Sequence, residues 1–229
     1  MTVIKICGIA EVDHALAAAQ AGADLIGLVF YPPSHRYLTP DRARAIVEAT
    51  RAARPEAPGF VGVFVDEPAV TINRLAAEVG LDYAQISGDE PWSLCADLAV
   101  PVIKSLRIDP AAGLADLEAR LAEGEDLIRA GRVRLLLDTQ HPGYYGGTGR
   151  TFDWALAAEL ARNVPFLLAG GLTPENAAEA VRAVRPWGLD VSSGVETDKR
   201  KDPGKIRRFL AAARSHDGAV TRRPDDRPA

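Results

Sequence analysis

The residues in this 229-residue chain whose types suit chemistry are Cys7, Arg36, Asp138 and the pairs Gly170-Gly171 and Ser193-Gly194. A cysteine takes protons or attacks carbon as its thiolate, which needs a cationic or dipolar neighbourhood. Without one it is a small buried hydrophobe. Asp138 closes the apolar run Leu135-Leu136-Leu137. A partly desolvated carboxyl there holds its proton and serves as a general acid, or else it caps the next loop through backbone N–H groups. Arg36 either forks onto a ligand carboxylate or remains a solvated surface cation. Glycine pairs let backbone N–H groups approach a phosphate closely, or they simply make tight turns. The histidines, His14, His35, His141 and His216, have no metal-ligand spacing, so no metal site is expected. There is no G-x-S-x-G elbow for a serine nucleophile, and Cys95, in a helical stretch, reads as buried filler.

These residues share a site only if the elements around them bring them together. Short apolar runs alternate with Ala-rich amphipathic stretches along the chain. The expected strands are Val3–Cys7, Asp24–Phe30, Phe60–Val65, Asp82–Ile86, Val102–Leu106, Val133–Asp138, Pro165–Ala169 and Leu189–Ser192. The expected helices are Val12–Ala21 with Gly22 as C-cap, one opened by Thr39-Pro40, Pro68–Val79, Pro91–Leu98, Leu114–Leu121, one from Asp153, one opened by Thr173-Pro174, and Pro203–Ala213. A glycine-rich loop, His141–Thr151, follows the sixth strand. Strand starts lie roughly 20–35 residues apart, which suits a (β/α)8 TIM barrel of about 250 residues. An open doubly wound sheet is the alternative, but Cys7-Gly8-Ile9-Ala10 lacks the glycine fingerprint of dinucleotide binding. In a barrel, ligands bind at the C-terminal ends of the strands, where Cys7, Asp138 and the two glycine-containing pairs fall, with Arg36 on the loop after the second strand. Val3, Lys5 and Cys7 alternate and so share one strand face.

Composition sets the outer limits. The chain is 47% hydrophobic and 25% charged, too apolar and balanced for a disordered one. A net charge of −4 gives no overall attraction to nucleic acid or an anionic membrane. No apolar run approaches the roughly 18 residues of a membrane span. Two cysteines make no disulfide framework, and Met1-Thr2-Val3-Ile4-Lys5 opens no signal peptide; a reducing, cytoplasmic setting is expected. Residues 1–214 are read as one catalytic barrel, and residues 215–229, polar and broken by prolines, as a disordered tail.

Taken in order, Lys5-Ile6-Cys7-Gly8, Gly22-Ala23-Asp24, Ser34-His35-Arg36, Val63-Phe64-Val65, Asp138-Thr139, Gly146-Gly147-Thr148-Gly149, Phe152-Asp153-Trp154, Leu168-Ala169-Gly170-Gly171-Leu172 and Asp190-Val191-Ser192-Ser193-Gly194-Val195-Glu196 resemble the phosphoribosylanthranilate isomerase family. The resemblance implies a TIM barrel. It also implies an Amadori rearrangement of N-(5-phosphoribosyl)anthranilate to 1-(2-carboxyphenylamino)-1-deoxyribulose 5-phosphate in tryptophan biosynthesis, with no cofactor. Carried over, Cys7 is the general base, Asp138 the general acid and Arg36 the holder of the anthranilate carboxylate. Backbone around Gly170, Gly171, Ser193 and Gly194 holds the phosphate. The implied partner is a small phosphosugar, in a monomer or homodimer. Two segments depart from the family: Gln85-Ile86-Ser87-Gly88 has serine where a histidine is usual, and His35 stands where proline is frequent. The histidine-pathway aminoaldose isomerase, which carries aspartate at the end of its first strand, is the sibling reading, together with a bifunctional enzyme. A non-catalytic phosphosugar-binding barrel is the reading from another class.

Overall fold

Runs rich in Val, Ile, Leu and Phe become strands covered on both faces, as a parallel sheet lined by helices requires. The computed structural model describes residues 1–54, 56–107, 113–138 and 154–215. Its strands are β1 (Val3–Cys7), β2 (Leu25–Val29), β3 (Gly59–Phe64), β4 (Tyr83–Ile86), β5 (Val102–Arg107), β6 (Val133–Asp138), β7 (Phe166–Ala169) and β8 (Gly188–Val191). They pair in parallel in sequence order, and the sheet closes where β1 meets β8. That closure rules out the open doubly wound sheet and is the (β/α)8 barrel anticipated from the alternation.

The helices are α1 (Val12–Ala21), α2 (Pro40–Ala53), α3 (Ala69–Val79), α4 (Trp92–Ala96), α5 (Gly113–Ala122), α6 (Glu125–Arg129), α7 (Trp154–Leu160), α8 (Ala177–Val184) and α9 (Pro203–Arg214). Local chemistry sets their ends. Gly22 ends α1 in the left-handed conformation, φ 89°, as a C-cap. Thr39 caps α2 with Pro40 in its first turn, and Asp202 caps α9 by accepting from the N–H groups of Gly204 and Lys205. The second Thr-Pro start behaves differently. Helix α8 begins at Ala177, not at Pro174, because the Asn176 side chain accepts from the Thr173 N–H and donates to the Gly171 carbonyl, holding 173–176 as a turn. Helix α6 had no sequence cue, nor did the short ribbon of β9 (Glu196–Thr197) against β10 (Arg200–Lys201). The glycine-rich loop 141–151, Phe152-Asp153 and the tail from 216 onward lie outside the described residues, while Ser215 still caps α9.

Two apolar layers follow from the period of two. Ile4, Ile6, Ile26, Leu28, Phe60, Leu135, Leu137, Leu189 and Val191 point outward into the layer between sheet and helices. Leu25, Val61, Ile103, Leu136, Leu167 and Ala169 fill the barrel, with Val3, Tyr83 and Trp187 packed against them. The inward row of β1 is thus Val3, Lys5 and Cys7, as the alternation required. Lys5 is fully buried, and its ammonium bonds Asp190 Oδ1 at 2.8 Å, straight across the closing seam where the two residues are register partners.

Removing one member of such a pair strands the other charge in the interior. Lys5→Met should therefore lose about 3–5 kcal/mol of stability in denaturant unfolding, and Lys5→Met/Asp190→Leu should recover most of it. Wild-type stability in the single variant would contradict the pairing.

Candidate active site

Cys7 ends β1 at the C-terminal mouth, buried against Val29 of β2 and Val63 of β3. Beneath it lies Lys5. Burial alone would lower the pKa of this lysine, but the charge of Asp190, then that of Cys7, and hydrogen bonds to both raise it above 10.5. Lys5 is thus held as an ammonium, bonded to the Asp190 carboxylate and close to the Cys7 thiol. Space for this meeting comes from Gly27: a Cβ there would lie 2.9 Å from Cys7 Sγ and 3.0 Å from Lys5 Nζ. Asp138 ends β6 on the inward parity set by Leu136, with Arg107 and Ala169 as its strand neighbours, and is half-buried. Cys7 and Asp138 therefore belong to one mouth, on strands separated by β7 and β8.

Arg36 lies on the loop between β2 and α2, and a carboxylate already engages it. Its Nε donates to Glu196 Oε1 at 2.7 Å and its Nη2 to Oε2 at 2.8 Å, a bidentate fork. Lys201, on β10, donates to the same Oε1 at 2.6 Å and to the Ser192 carbonyl at 2.9 Å. Ser192 in turn donates through its hydroxyl to the Cys7 carbonyl at 3.1 Å. Burial pushes the Glu196 carboxyl up, but the hydrogen bonds from Arg36 and Lys201 outweigh it and bring its pKa from 4.5 down to about 2. Burial lowers Lys201 below 10.5 against the pull of Glu196. His35 lies 3.9 Å from Glu196 Oε2, and burial, followed by the charge of Arg36, holds it below 6.5, so it is neutral at pH 7.

The glycine pairs meet beside this cluster, at the ends of β7 and β8. Gly170 and Gly171, after β7, have φ of 93° and 63°, a backbone that only glycine adopts without strain. Ser193 and Gly194 lie in a short 3-10 turn, Ser193–Val195. A Cβ on Gly194 would overlap the Leu172 carbonyl, so glycine lets the two loops touch, while the Cβ direction of Gly171 is open. At the departure from the family pattern, Ser87 accepts a hydrogen bond from Gln85 Nε2 at 3.0 Å. The Gln85 side chain is otherwise buried, with Oε1 unpaired.

The described residues proposed for the site from the sequence, Cys7, Arg36, Asp138, Gly170, Gly171, Ser193 and Gly194, are all at this mouth. Sequence reasoning gave no role to Lys5, Glu196 or Lys201. The available signals were a lysine on the inward parity of an apolar strand, facing an aspartate of equal parity on the eighth, and a carboxylate a few residues past the Ser-Gly turn. Among the described residues, no group of three or more His, Cys, Asp or Glu could hold a metal ion, and no helix is long and apolar enough to cross a membrane.

Closed parallel strands, helices outside, and thiol, carboxyl and guanidinium groups at the C-terminal mouth define an enzyme of the (β/α)8-barrel class. Residues 4–212 match the family model described as N-(5'phosphoribosyl)anthranilate (PRA) isomerase. An N-(5'-phosphoribosyl)anthranilate isomerase of Roseiflexus sp. (strain RS-1) is 51% identical over 216 residues, 93% of this chain and 97% of its own. The crystal structure of phosphoribosyl anthranilate isomerase from Thermotoga maritima is 38% identical, spans 93% of this chain and 99% of its own, and superposes with a TM-score of 0.81. A phosphoribosyl anthranilate isomerase solved in complex with reduced 1-(o-carboxyphenylamino)-1-deoxyribulose 5-phosphate is 36% identical over the same shares, with a TM-score of 0.77. The chain belongs to the N-(5'-phosphoribosyl)anthranilate isomerase family, aldose–ketose isomerases of tryptophan biosynthesis.

A carboxyl with a depressed folded-state pKa stabilises the fold above its unfolded value, and that stability fades as pH falls through the folded value. The contribution of Glu196 should be complete above pH 4.5 and lost toward about pH 2. Acid unfolding of Glu196→Gln should show a shallower pH dependence across that window than wild type. Identical slopes would contradict the ionised clamp.

Proposed function

We propose that this chain converts N-(5-phosphoribosyl)anthranilate to 1-(2-carboxyphenylamino)-1-deoxyribulose 5-phosphate, with Cys7 as general base and Asp138 as general acid. The observation that carries the reading is that Cys7 and Asp138 end inward-facing rows at the same mouth, with the Lys5 ammonium on the same row as the thiol. Asp138 donates its proton to the furanose ring oxygen while the aniline nitrogen lone pair expels that oxygen from C1′, giving an open-chain iminium. The iminium draws electrons from C2′, and Cys7, as thiolate, removes the C2′ proton. The C–H pair becomes the C1′–C2′ double bond and the nitrogen regains its lone pair. The enolamine then gains a proton at C1′ and loses one from the C2′ hydroxyl, which leaves the ketone. Solvent returns the proton from Cys7 to Asp138, so the reaction balances as an isomerisation and requires one acid and one base.

Arg36 holds the anthranilate carboxylate, and backbone N–H groups around Gly170, Gly171, Ser193 and Gly194 hold the phosphate. The open Cβ side of Gly171 and the close approach of Gly194 to Leu172 support that phosphate site. A base of this kind requires a reduced thiol; Cys7 and Cys95 are both free, and a reducing cytoplasm suits them.

The test is turnover of N-(5-phosphoribosyl)anthranilate generated in situ, followed by loss of its fluorescence. Folded protein without turnover, or turnover of the histidine-pathway aminoaldose alone, overturns the proposal. Cys7→Ser and Asp138→Asn should each lower kcat by at least about 10²-fold, the low end for general acid–base catalysis. A near-wild-type kcat in either variant removes that residue from its role.

A further inference from the structure

A positively charged side chain that binds a ligand is most effective when its orientation is fixed beforehand, since a free arginine loses rotamer entropy on binding. Arg36 is fixed by Glu196, which uses the Nε and Nη2 edge of the guanidinium and leaves the Arg36 side chain 22% exposed. Glu196 is 7% exposed and is itself fixed by Lys201, 2% exposed, whose ammonium bonds Glu196, the Ser192 carbonyl and the Ser192 hydroxyl. Arg36 also passes close over Gly8, where a Cβ would overlap its Cδ; the absence of a side chain keeps that path clear, and the left-handed φ of 77° favours glycine there as well. The chain of contacts runs from the guanidinium through Glu196, Lys201 and Ser192 to the backbone of Cys7.

Charge counting gives this relay a second property. An arginine paired with one carboxylate is neutral and attracts no anion. Here two cations, Arg36 and Lys201, share one carboxylate, and His35 beside them is neutral at pH 7. Arg36, Lys201 and Glu196 together keep one net positive charge, and Arg36 is the more exposed of the two cations.

We infer that Glu196 and Lys201 are positioning residues for substrate binding: Glu196 fixes the guanidinium of Arg36 in the orientation that receives the substrate's aryl carboxylate, and Lys201 offsets the charge of Glu196 so that Arg36 remains a cationic receptor. This rests on the assignment of Arg36 to that carboxylate. The relay touches no reacting atom and acts through Arg36.

The probes are the reduced product, 1-(o-carboxyphenylamino)-1-deoxyribulose 5-phosphate with its ketone reduced, and the same compound lacking the aryl carboxylate, titrated by calorimetry. Glu196→Gln should weaken binding of the first by about tenfold or more, the size of a lost charge-assisted hydrogen bond. Binding of the second should change by less than about twofold, within the scatter of independent sites. Lys201→Met should do the same with the fork retained. In an Arg36→Ala background, Glu196→Gln should add nothing. Equal weakening of both compounds, or full additivity with Arg36→Ala, overturns the inference and makes the relay merely structural. If Arg36→Ala itself leaves the preference for the carboxylate intact, the assignment of Arg36 fails first, and that outcome is separately visible. Should Glu196→Gln not fold, Glu196→Asp keeps the charge and shortens the reach; it should show the same selective loss, and equal affinity for both compounds relative to wild type would count against the relay.

Discussion

The seam between β1 and β8 closes around one buried ion pair, and the chemistry at the mouth depends on it. Lys5 and Asp190 are register partners on the last pair of strands to meet, and each faces the interior, where an unpaired charge is expensive. Paired at 2.8 Å, they are tolerated, and the barrel closes over them. Apolar residues at both positions would fill the same space, but they would not put a fixed ammonium against the thiol at the end of β1. The pair therefore links closure of the fold to the chemistry at its mouth. Gly27 on β2 is part of the same arrangement, because any side chain there would displace both the sulfur and the ammonium.

Charge is handled in two ways around the mouth. Beside Cys7 and Arg36, side-chain cations and one carboxylate form a connected, mostly buried cluster that takes in Ser192. At the ends of β7 and β8 the chain offers backbone instead, with glycines that allow close approach and left-handed turns. An aryl carboxylate is planar and suits a guanidinium fork, whereas a phosphate suits converging N–H groups. The substrate proposed here carries one of each.

The fold was legible in the sequence because its periodicities were strong. β1, α1 and β6 fall on the expected residues, since each is a clean apolar or amphipathic run with a clear stop. The start of α8 was not legible: Thr173-Pro174 matches the pattern at Thr39-Pro40, and only the Asn176 side chain, bonding back to Thr173 and Gly171, turns the segment into a loop. The positions of Cys7, Asp138 and Arg36 at one mouth follow from strand ends and so could be read in advance. The partners of those residues could not. The bond of Lys5 to Asp190 spans 185 residues and the contact from Arg36 to Glu196 spans 160, and single-sequence patterns are blind to such distances. The ribbon that carries Lys201 is two residues per strand, too short to leave a periodic trace.

The division of labour between acid and base is tested most directly by trapping the open-chain iminium. Deuteride from borodeuteride adds to C1′ of that species and leaves a stable open-chain amine labelled at C1′, whereas reduction of the product ketone places the label at C2′, so fragment masses tell the two apart. With Cys7→Ser the ring still opens but the C2′ proton stays, so the account predicts that the reduced amine accumulates. With Asp138→Asn the ring stays closed and little amine forms. Trapping in Asp138→Asn but not in Cys7→Ser would reverse the assignment, and equal trapping in both would contradict it.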